Sequence, residues 1–179
     1  MKIDKLSDLF EINFKKIRQK ELVDFFRLCL KYHTMLFDPD FFKLNFSSVE
    51  RFLRFIHRFK NHIYFVLLNN EEKFAGFLYL YETRPALKGF FDTKVTFCIC
   101  RPYWGFGSYV MAKRAIRFLF EEMKVRKLTV ETVGNKSCAR RLIQKLGFEL
   151  EAVLKDECFR GEKTEDLYLF TKFNPAFEL

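Results

Sequence analysis

The run from Arg101 to Val110 holds the residues whose chemistry is clearest, two glycines one residue apart at Gly105 and Gly107. An apolar stretch precedes this run and a long amphipathic pattern follows it, so the glycines stand between a predicted strand and a predicted helix. Glycines at such a junction allow a tight turn that exposes several backbone N–H groups, and the positive end of the helix dipole adds to them. This combination is typical of a phosphate site and predicts a ligand that carries a pyrophosphate. We call residues 101–108 the glycine turn.

Positive charge concentrates in the same part of the sequence. The chain carries a net charge of +9, and residues 101–145 contain eleven Lys or Arg and three Glu, a net +8. Because the excess surrounds the glycine turn, we expect it to attract a polyanionic small molecule. A nucleic-acid binder is the alternative that the charge suggests, but the aromatic residues follow a core periodicity rather than an exposed stacking platform. We therefore expect no nucleic acid as a partner.

The cysteines and histidines predict no metal site. The five Cys include no C-x-x-C pair, and the three His show no ligand spacing. An odd number of Cys favours small buried side chains in a reducing compartment. The charged N-terminal segment predicts no signal peptide, and the apolar stretches are far shorter than the roughly 20 residues of a membrane span. We expect a cytoplasmic protein.

Hydrophobic periodicity predicts the elements that must position the glycine turn. The predicted strands are residues 10–17, 62–68, 74–81, 93–100, 127–133, 148–159 and 166–173. The predicted helices are residues 21–33, a helix that a capping box at 47–50 begins, residues 104–123 and residues 137–146. Residues 84–89 are predicted as a loop, and the final strand as an edge on which a second subunit could pair.

Hairpins mixed with helical crossovers imply the fold class. We expect a single α/β domain over residues 1–179, with a mixed, mostly antiparallel sheet of about seven strands and about four helices on both faces.

Four segments with fixed separations carry a family resemblance that a lone G-x-G would not. They are Tyr103-Trp104-Gly105-Phe106-Gly107, Leu128-Thr129-Val130-Glu131, Arg141 to Glu149, and the tail Gly161 to Asp166 leading into Leu167-Tyr168-Leu169. Together they resemble the GNAT superfamily of acyl-CoA-dependent N-acetyltransferases over nearly the whole length. Within it the chain looks like the branch that acetylates protein N-termini and small amines, typified by the ribosomal-protein N-terminal acetyltransferases. The resemblance implies acetyl-CoA as cosubstrate, an amine acceptor, and a sheet splayed at its centre.

The resemblance also implies a cofactor site around the glycine turn. Backbone groups at the end of the strand would meet the pantetheine arm, and the N–H groups of residues 104–108 would hold the pyrophosphate. A one-residue insertion would align Asn135 with an Asn of the family, and would put a Cys where this branch often has Ser. The implied cofactor-binding residues are Ile99, Cys100, Arg101, Trp104, Gly105, Phe106, Gly107, Ser108, Asn135 and Cys138.

The catalytic candidates follow from the same resemblance. Glu131 is the candidate base, because it lies mid-strand beside the implied cleft at a position that is often acidic in the family. Asp92, at the start of a predicted strand, is a weaker candidate. Ser137 or Cys138 could protonate the departing thiolate. A solvated sheet Glu, a helix-capping Ser and a buried Cys are the structural alternatives.

The chain departs from the family pattern at four positions. Pro102 replaces a frequent Gln or Arg, Lys136 and Ile143 fall where many members have Asn and Tyr, and Lys94 falls near a frequent Glu. These departures leave open a non-catalytic acyl-CoA sensor or binding protein on the same fold. In this architecture the first two helices and the loops at 84–91 and 159–165 would shape the acceptor site. The acceptor could be a peptide N-terminus, a polyamine, an amino sugar or an antibiotic.

Overall fold

The computed structural model describes residues 13–16, 19–31, 47–58, 63–68, 74–134, 137–160 and 162–177. The strands are β1 (Asn13–Lys16), β2 (Ile63–Leu68), β3 (Phe74–Pro85), β4 (Phe91–Ile99), β5 (Val125–Val133), β6 (Glu149–Arg160) and β7 (Lys163–Phe173). The α-helices are α1 (Gln19–Lys31), α2 (Val49–Arg58), α3 (Phe106–Glu121) and α4 (Ser137–Lys145). Two short 3-10 turns lie at Leu87–Gly89 and Arg101–Tyr103.

The described strands form one mixed sheet in the order β1-β2-β3-β4-β5-β7-β6. All neighbours are antiparallel except β4 and β5, which run parallel. Helix α3 supplies the crossover that a parallel pair needs. The mixed α/β class predicted from the sequence is confirmed. The final strand was expected at an edge, and that expectation is wrong because β7 lies between β5 and β6.

Helix α3 covers one face of the sheet. Its residues Met111, Ala115 and Leu119 are buried in one cluster with Leu78 of β3 and Val95 of β4, among others. Successive residues of a strand point to opposite faces, so the neighbours of Leu78 on β3 face the other way. The α3 face is therefore the main apolar core.

Helices α1 and α2 belong to the opposite face. Phe26 of α1 and Phe52 of α2 pack with ring centroids 5.0 Å apart. Phe77 of β3 pairs with Cys98 of β4 in the sheet. Both side chains are buried, and neither belongs to the core cluster beneath α3. Cys29 of α1 is buried close enough to Cys98 for the two thiols to interact electrostatically. Two helices therefore pack against the face that points away from α3.

Several predicted boundaries shift in the structure. Strand β3 runs on to Pro85, so the loop expected at residues 84–89 is shorter. The helix expected from residue 104 begins at Phe106, because a 3-10 turn and Gly105 precede it. At the start of α2 the Arg51 N–H donates to the Ser48 hydroxyl over 3.2 Å, so Ser48 is the capping residue.

Strands β4 and β5 separate along their length. Their paired residues run from Phe91 and Val125 to Lys94 and Thr129, where the ladder ends. Beyond these residues β4 continues to Ile99 and β5 to Val133 without pairing to each other. We call this opening the splay. It lies at the end of β4 that leads into the glycine turn, where the family resemblance implies a splayed sheet.

Among the described helices, none combines the length and apolar character that crossing a membrane requires.

Candidate active site

The glycine turn is built from backbone bonds and one glycine conformation. The Tyr103 N–H donates to the Cys100 carbonyl and the Trp104 N–H to the Arg101 carbonyl, over 2.9 and 3.1 Å. Gly105 then takes φ 83° and ψ −123°, a backbone conformation that residues with a Cβ rarely adopt. A Cβ added at Gly105 would meet no atom within 4 Å. The glycine is therefore required by the backbone, and the space beside it is open.

The start of α3 presents N–H groups to that open space. The Tyr109 N–H makes the first bond of the helix, to the Gly105 carbonyl over 3.3 Å. The N–H groups of Phe106, Gly107 and Ser108 precede it and have no partner inside the helix. The Ser108 hydroxyl donates to the Tyr103 carbonyl over 3.1 Å, which fixes the turn beneath them. The arrangement fits an anionic group such as a pyrophosphate.

Trp104 differs from its expected role. Its backbone N–H, expected to face the pyrophosphate, already donates to the Arg101 carbonyl. Its indole N–H donates to the Ile99 carbonyl over 2.7 Å, while the side chain is 46% exposed. The indole therefore joins the glycine turn to the end of β4 and is not a core residue.

The end of β4 turns backbone groups toward the splay. The Cys100 N–H bonds to the Ala75 carbonyl of β3 over 2.8 Å. Since backbone groups alternate in direction along an antiparallel strand, those of Phe97 and Ile99 point away from β3, toward β5. Strand β5 has diverged at this level, so this edge can receive an extended ligand. Of the expected pantetheine contacts, the Ile99 carbonyl is already bonded to Trp104.

Thr132 of β5 carries an unsatisfied hydroxyl. The residue is 7% exposed, and its Oγ1 is a buried side-chain atom without a hydrogen-bond partner among the described residues. It lies past Thr129, within the splay, on the same face as buried Val130 and α3. A buried hydroxyl without a partner costs about 1–3 kcal/mol. A ligand in the splay with an amide or carbonyl group would satisfy it, and this fits the pantetheine arm of acetyl-CoA.

Glu131 points to the opposite face from Thr132 and is held on both oxygens. Its Oε1 lies 2.7 Å from Lys94 Nζ, and its Oε2 accepts a hydrogen bond from the Tyr81 hydroxyl over 3.0 Å. Lys94 Nζ also lies 2.8 Å from Glu82 Oε2. These contacts join β3, β4 and β5 across the mouth of the splay. We call Tyr81, Glu82, Lys94 and Glu131 the Lys94 cluster.

Lys94 and Tyr81 of the Lys94 cluster keep their protons near neutral pH. Partial burial opposes the charge of Lys94, but hydrogen bonds to Glu131 and Glu82 outweigh it, so the pKa of Lys94 lies above its ordinary value. Burial raises the pKa of Tyr81 well above that of a free phenol, and the nearby Tyr79 and Glu131 add to the effect. Burial also raises the pKa of Tyr79, which stacks on Tyr81, to about 12. Near neutral pH Lys94 is therefore an ammonium, and Tyr81 and its neighbour Tyr79 are protonated phenols.

Glu82 reaches Lys94 because β3 is irregular there. The register between β3 and β4 shifts between Tyr81 and Arg84, and Glu82 has φ 49°. A non-glycine residue in this left-handed region costs about 1–2 kcal/mol, and such residues concentrate at functional sites. In a regular strand Glu82 would face away from Tyr81. The bulge brings its carboxylate to the Tyr81 side of the sheet.

The other sequence candidates lie in different surroundings. Asp92 forms a two-point ion pair with the guanidinium of Arg126 at the paired end of β4, away from the splay. Cys138 is exposed near the start of α4, which follows β5, so it is not the buried Cys that was the alternative. Ser137 begins α4, and Asn135 lies outside the described residues.

The cysteines only partly follow the expectation of buried side chains. Cys29 and Cys98 are buried, and burial raises the pKa of both thiols. Cys100 and Cys158 are half-buried, and all five described cysteines are free thiols. In the part of the chain that the structure describes, no three His, Cys, Asp or Glu form a group that could hold a metal ion.

Sequence reasoning missed Tyr81, Glu82 and Thr132. The alternation of β5 could have signalled Thr132, because it is a polar residue on the apolar face of a strand whose neighbours are Val130 and Leu128. No local signal marks Glu82, since its position depends on the bulge. Lys94 was noticed only as a departure from a family pattern.

Comparison with known proteins places the site in a family. The family model described as acetyltransferase (GNAT) domain matches residues 11–149, most of the chain. The fold is similar to that of spermidine N-acetyltransferase from Vibrio cholerae in complex with CoA and spermine, with a TM-score of 0.76 and 16% identity over 91% of this chain and 95% of that one. No protein of curated function matches the sequence significantly.

A second solved structure also has a similar fold. Ribosomal-protein-S5-alanine acetyltransferase from Vibrio fischeri has a TM-score of 0.73 and 18% identity, over 95% of this chain and 97% of that one. Identities this low establish a shared fold, whereas the family match spans both the glycine turn and the splay. The chain therefore belongs to the GNAT family of acetyl-CoA-dependent N-acetyltransferases.

Proposed function

We propose that this protein transfers an acetyl group from acetyl-CoA to a primary amine by direct attack within a ternary complex. The observation that carries the proposal is the splay, which has the α3 helix start, suited to an anion, on one face and the Glu131 carboxylate on the other. An acyl donor threaded between the strands would then meet an acceptor from the opposite side. Holding both reactants in one site supplies much of the rate of such a reaction.

The glycine turn would hold the cosubstrate. The N–H groups of Gly105, Phe106, Gly107 and Ser108 are suited to the pyrophosphate, and the β4 edge at Phe97 and Ile99, which faces the splay, is suited to the pantetheine arm. Acetyl-CoA supplies the activated thioester carbonyl when it is bound. The exposed guanidinium of Arg101 and the neighbouring basic residues add attraction for the phosphates.

Glu131 would act as the base. An amine must be neutral to attack, so a group near the splay has to take its proton. Glu131 lies two residues past Thr129, the last residue of β5 that pairs with β4, and its side chain is 23% exposed. Cys138 and Ser137, at the start of the next helix, remain the candidates that would protonate the leaving thiolate.

The acceptor class follows from the family and its relatives. We infer a protein N-terminus or a small amine, because the solved structures with this fold include enzymes named for each of these two acceptors. We also infer that residues 1–179 act as one catalytic domain, since the family match and the sheet both extend over most of the chain.

The test is two-substrate kinetics with release of the CoA thiol as the signal. Direct attack requires both substrates on the enzyme, so intersecting double-reciprocal lines are expected, whereas parallel lines would contradict a ternary complex. We expect Glu131→Gln to lower kcat by about 10²- to 10⁴-fold, the range that loss of a general base produces. Acetyl-CoA affinity, measured by calorimetry, should change little.

Glu151→Gln is the matched control. It removes the same charge from a carboxylate that pairs with Lys127, also across strands, but Glu151 lies on β6 and outside the splay. Its kcat should remain within about twofold of the wild type. Equal losses in the two variants would show that Glu131 acts through general charge or stability and is not the base.

A further inference from the structure

We infer that Lys94 sets the acceptor class, by restricting the site to amines that carry a single positive charge. The inference rests on the proposed function and narrows it from amines in general to monoamines, including peptide N-termini without nearby basic side chains. Polyamines are the class it excludes.

The charges of the Lys94 cluster give the first reason. Glu82 and Glu131 contribute two carboxylates, and the Lys94 ammonium lies within 2.8 Å of one and 2.7 Å of the other. The cluster therefore retains one negative charge in total. One acceptor ammonium balances that charge, whereas the further ammonium groups of a polyamine would lie near Lys94 without a carboxylate to pair with.

The position of the cluster gives the second reason. Lys94 is the last residue of β4 that pairs with β5, and Glu131 lies just past the corresponding residue Thr129. The cluster thus lines the mouth of the splay on the face away from α3. An amine that approaches the splay from this face passes Lys94 before it reaches the reacting carbonyl.

The Lys94 ammonium itself occupies the place where a second ammonium would bind. It lies between two carboxylates and 5.9 Å from the centre of the Tyr81 ring, an arrangement that suits any ammonium ion. Strand β3 leaves regular geometry at Glu82, and the bulge supplies the second carboxylate there. The cluster is therefore an ammonium site that the chain fills with its own side chain.

The test compares Lys94→Met with Lys127→Met. Both changes remove a charge from a Lys that is paired with a Glu, but Lys127 pairs with Glu151 and lies in the paired part of β5. The readout is the ratio of kcat/KM for spermine to kcat/KM for n-butylamine. We expect Lys94→Met to raise this ratio on the order of tenfold, and Lys94→Arg and Lys127→Met to leave it within about twofold.

A binding measurement separates this inference from the proposed function. Spermine is titrated into the protein saturated with CoA, which cannot donate an acetyl group, and we expect Lys94→Met to bind it on the order of tenfold more tightly than the wild type. Unchanged spermine affinity, or a wild type that prefers spermine to n-butylamine, would overturn the inference. A lack of acetyl transfer to any amine would instead contradict the proposed function, and the spermine titration would still decide the role of Lys94.

Discussion

The adjacent residues Glu131 and Thr132 of β5 point to opposite faces of the sheet. Glu131 points toward Tyr81 and Lys94, where the acceptor would approach, while Thr132 points toward the α3 face. Under the proposed function, the alternation of the strand would divide the two substrates between these neighbouring positions. Each side chain can be changed without touching the other face, which makes their roles separable by experiment.

Thr132→Val tests the fit of the cosubstrate. Since the Thr132 hydroxyl has no hydrogen-bond partner among the residues that the structure describes, replacing it with a methyl group of the same size should leave the free energy of unfolding unchanged or raise it by about 1 kcal/mol. If acetyl-CoA supplies the missing partner, its affinity should fall by about tenfold. Chemical denaturation of the free protein and calorimetry with acetyl-CoA measure the two effects.

Thr93→Val is the control for that prediction. Thr93 is 3% exposed, and its hydroxyl donates to the Tyr81 carbonyl over 3.0 Å. The same substitution should therefore destabilise the free protein by about 1 kcal/mol and leave acetyl-CoA affinity unchanged. If both variants lose stability and neither loses affinity, the Thr132 hydroxyl has a partner within the fold and is not a ligand contact.

At the scale of elements, the glycine turn decides where α3 begins and where its N–H groups point. Gly105→Ala should lower the free energy of unfolding by about 1–3 kcal/mol, because the backbone conformation is open only to glycine. It should also weaken acetyl-CoA binding by about tenfold, since relaxing the turn rotates the N–H groups that follow. Thermal unfolding and calorimetry are the measurements.

Gly89→Ala provides the comparison for the turn. Gly89 also has a positive φ, 74°, and a Cβ there would also meet nothing within 4 Å, but it lies in the turn between β3 and β4. The Gly89→Ala substitution should lower the free energy of unfolding by about 1 kcal/mol and leave acetyl-CoA affinity unchanged. Parallel loss of affinity in both variants would mean that destabilisation alone weakens binding.

The elements around the turn could be predicted because their signals are local. The two glycines, the apolar stripe of α3 and the apolar alternation of β5 all lie within short windows of sequence. The Lys94 cluster could not be predicted, since Tyr81 and Glu131 are 50 positions apart and meet only once β3, β4 and β5 are aligned. The bulge at Glu82 changes the face of a residue that simple alternation would place elsewhere. Boundaries also shifted where a 3-10 turn preceded the helix.

At the scale of the whole molecule, the net charge of +9 should assist the capture of an anionic cosubstrate. We expect acetyl-CoA affinity to fall as salt is raised from about 0.05 M to about 0.5 M, where screening shortens the reach of charges. Lys113→Gln, which changes an exposed Lys of α3 beside Tyr109, should reduce this salt dependence. Calorimetry over a series of salt concentrations measures the salt dependence of acetyl-CoA affinity.

Arg117→Gln is the control for Lys113→Gln, because it also removes one positive charge from an exposed side chain of α3. Because Arg117 already pairs with Glu121 over 2.8 Å, its loss should change the salt dependence less than that of Lys113→Gln. An affinity that does not respond to salt in the wild type would show that backbone N–H groups, and not the overall field, dominate binding.

The splay leaves an interior strand edge that no strand of the described part of the chain completes. A ligand that lies along this edge acts as a missing strand, so the folded state gains stability by mass action whenever the ligand is present. At a concentration 100 times its dissociation constant, a ligand that binds only the folded state adds about 2.7 kcal/mol. The resistance of this protein to unfolding and proteolysis would then follow the supply of acetyl-CoA in its surroundings, and the amount of enzyme would be linked to the amount of its own substrate.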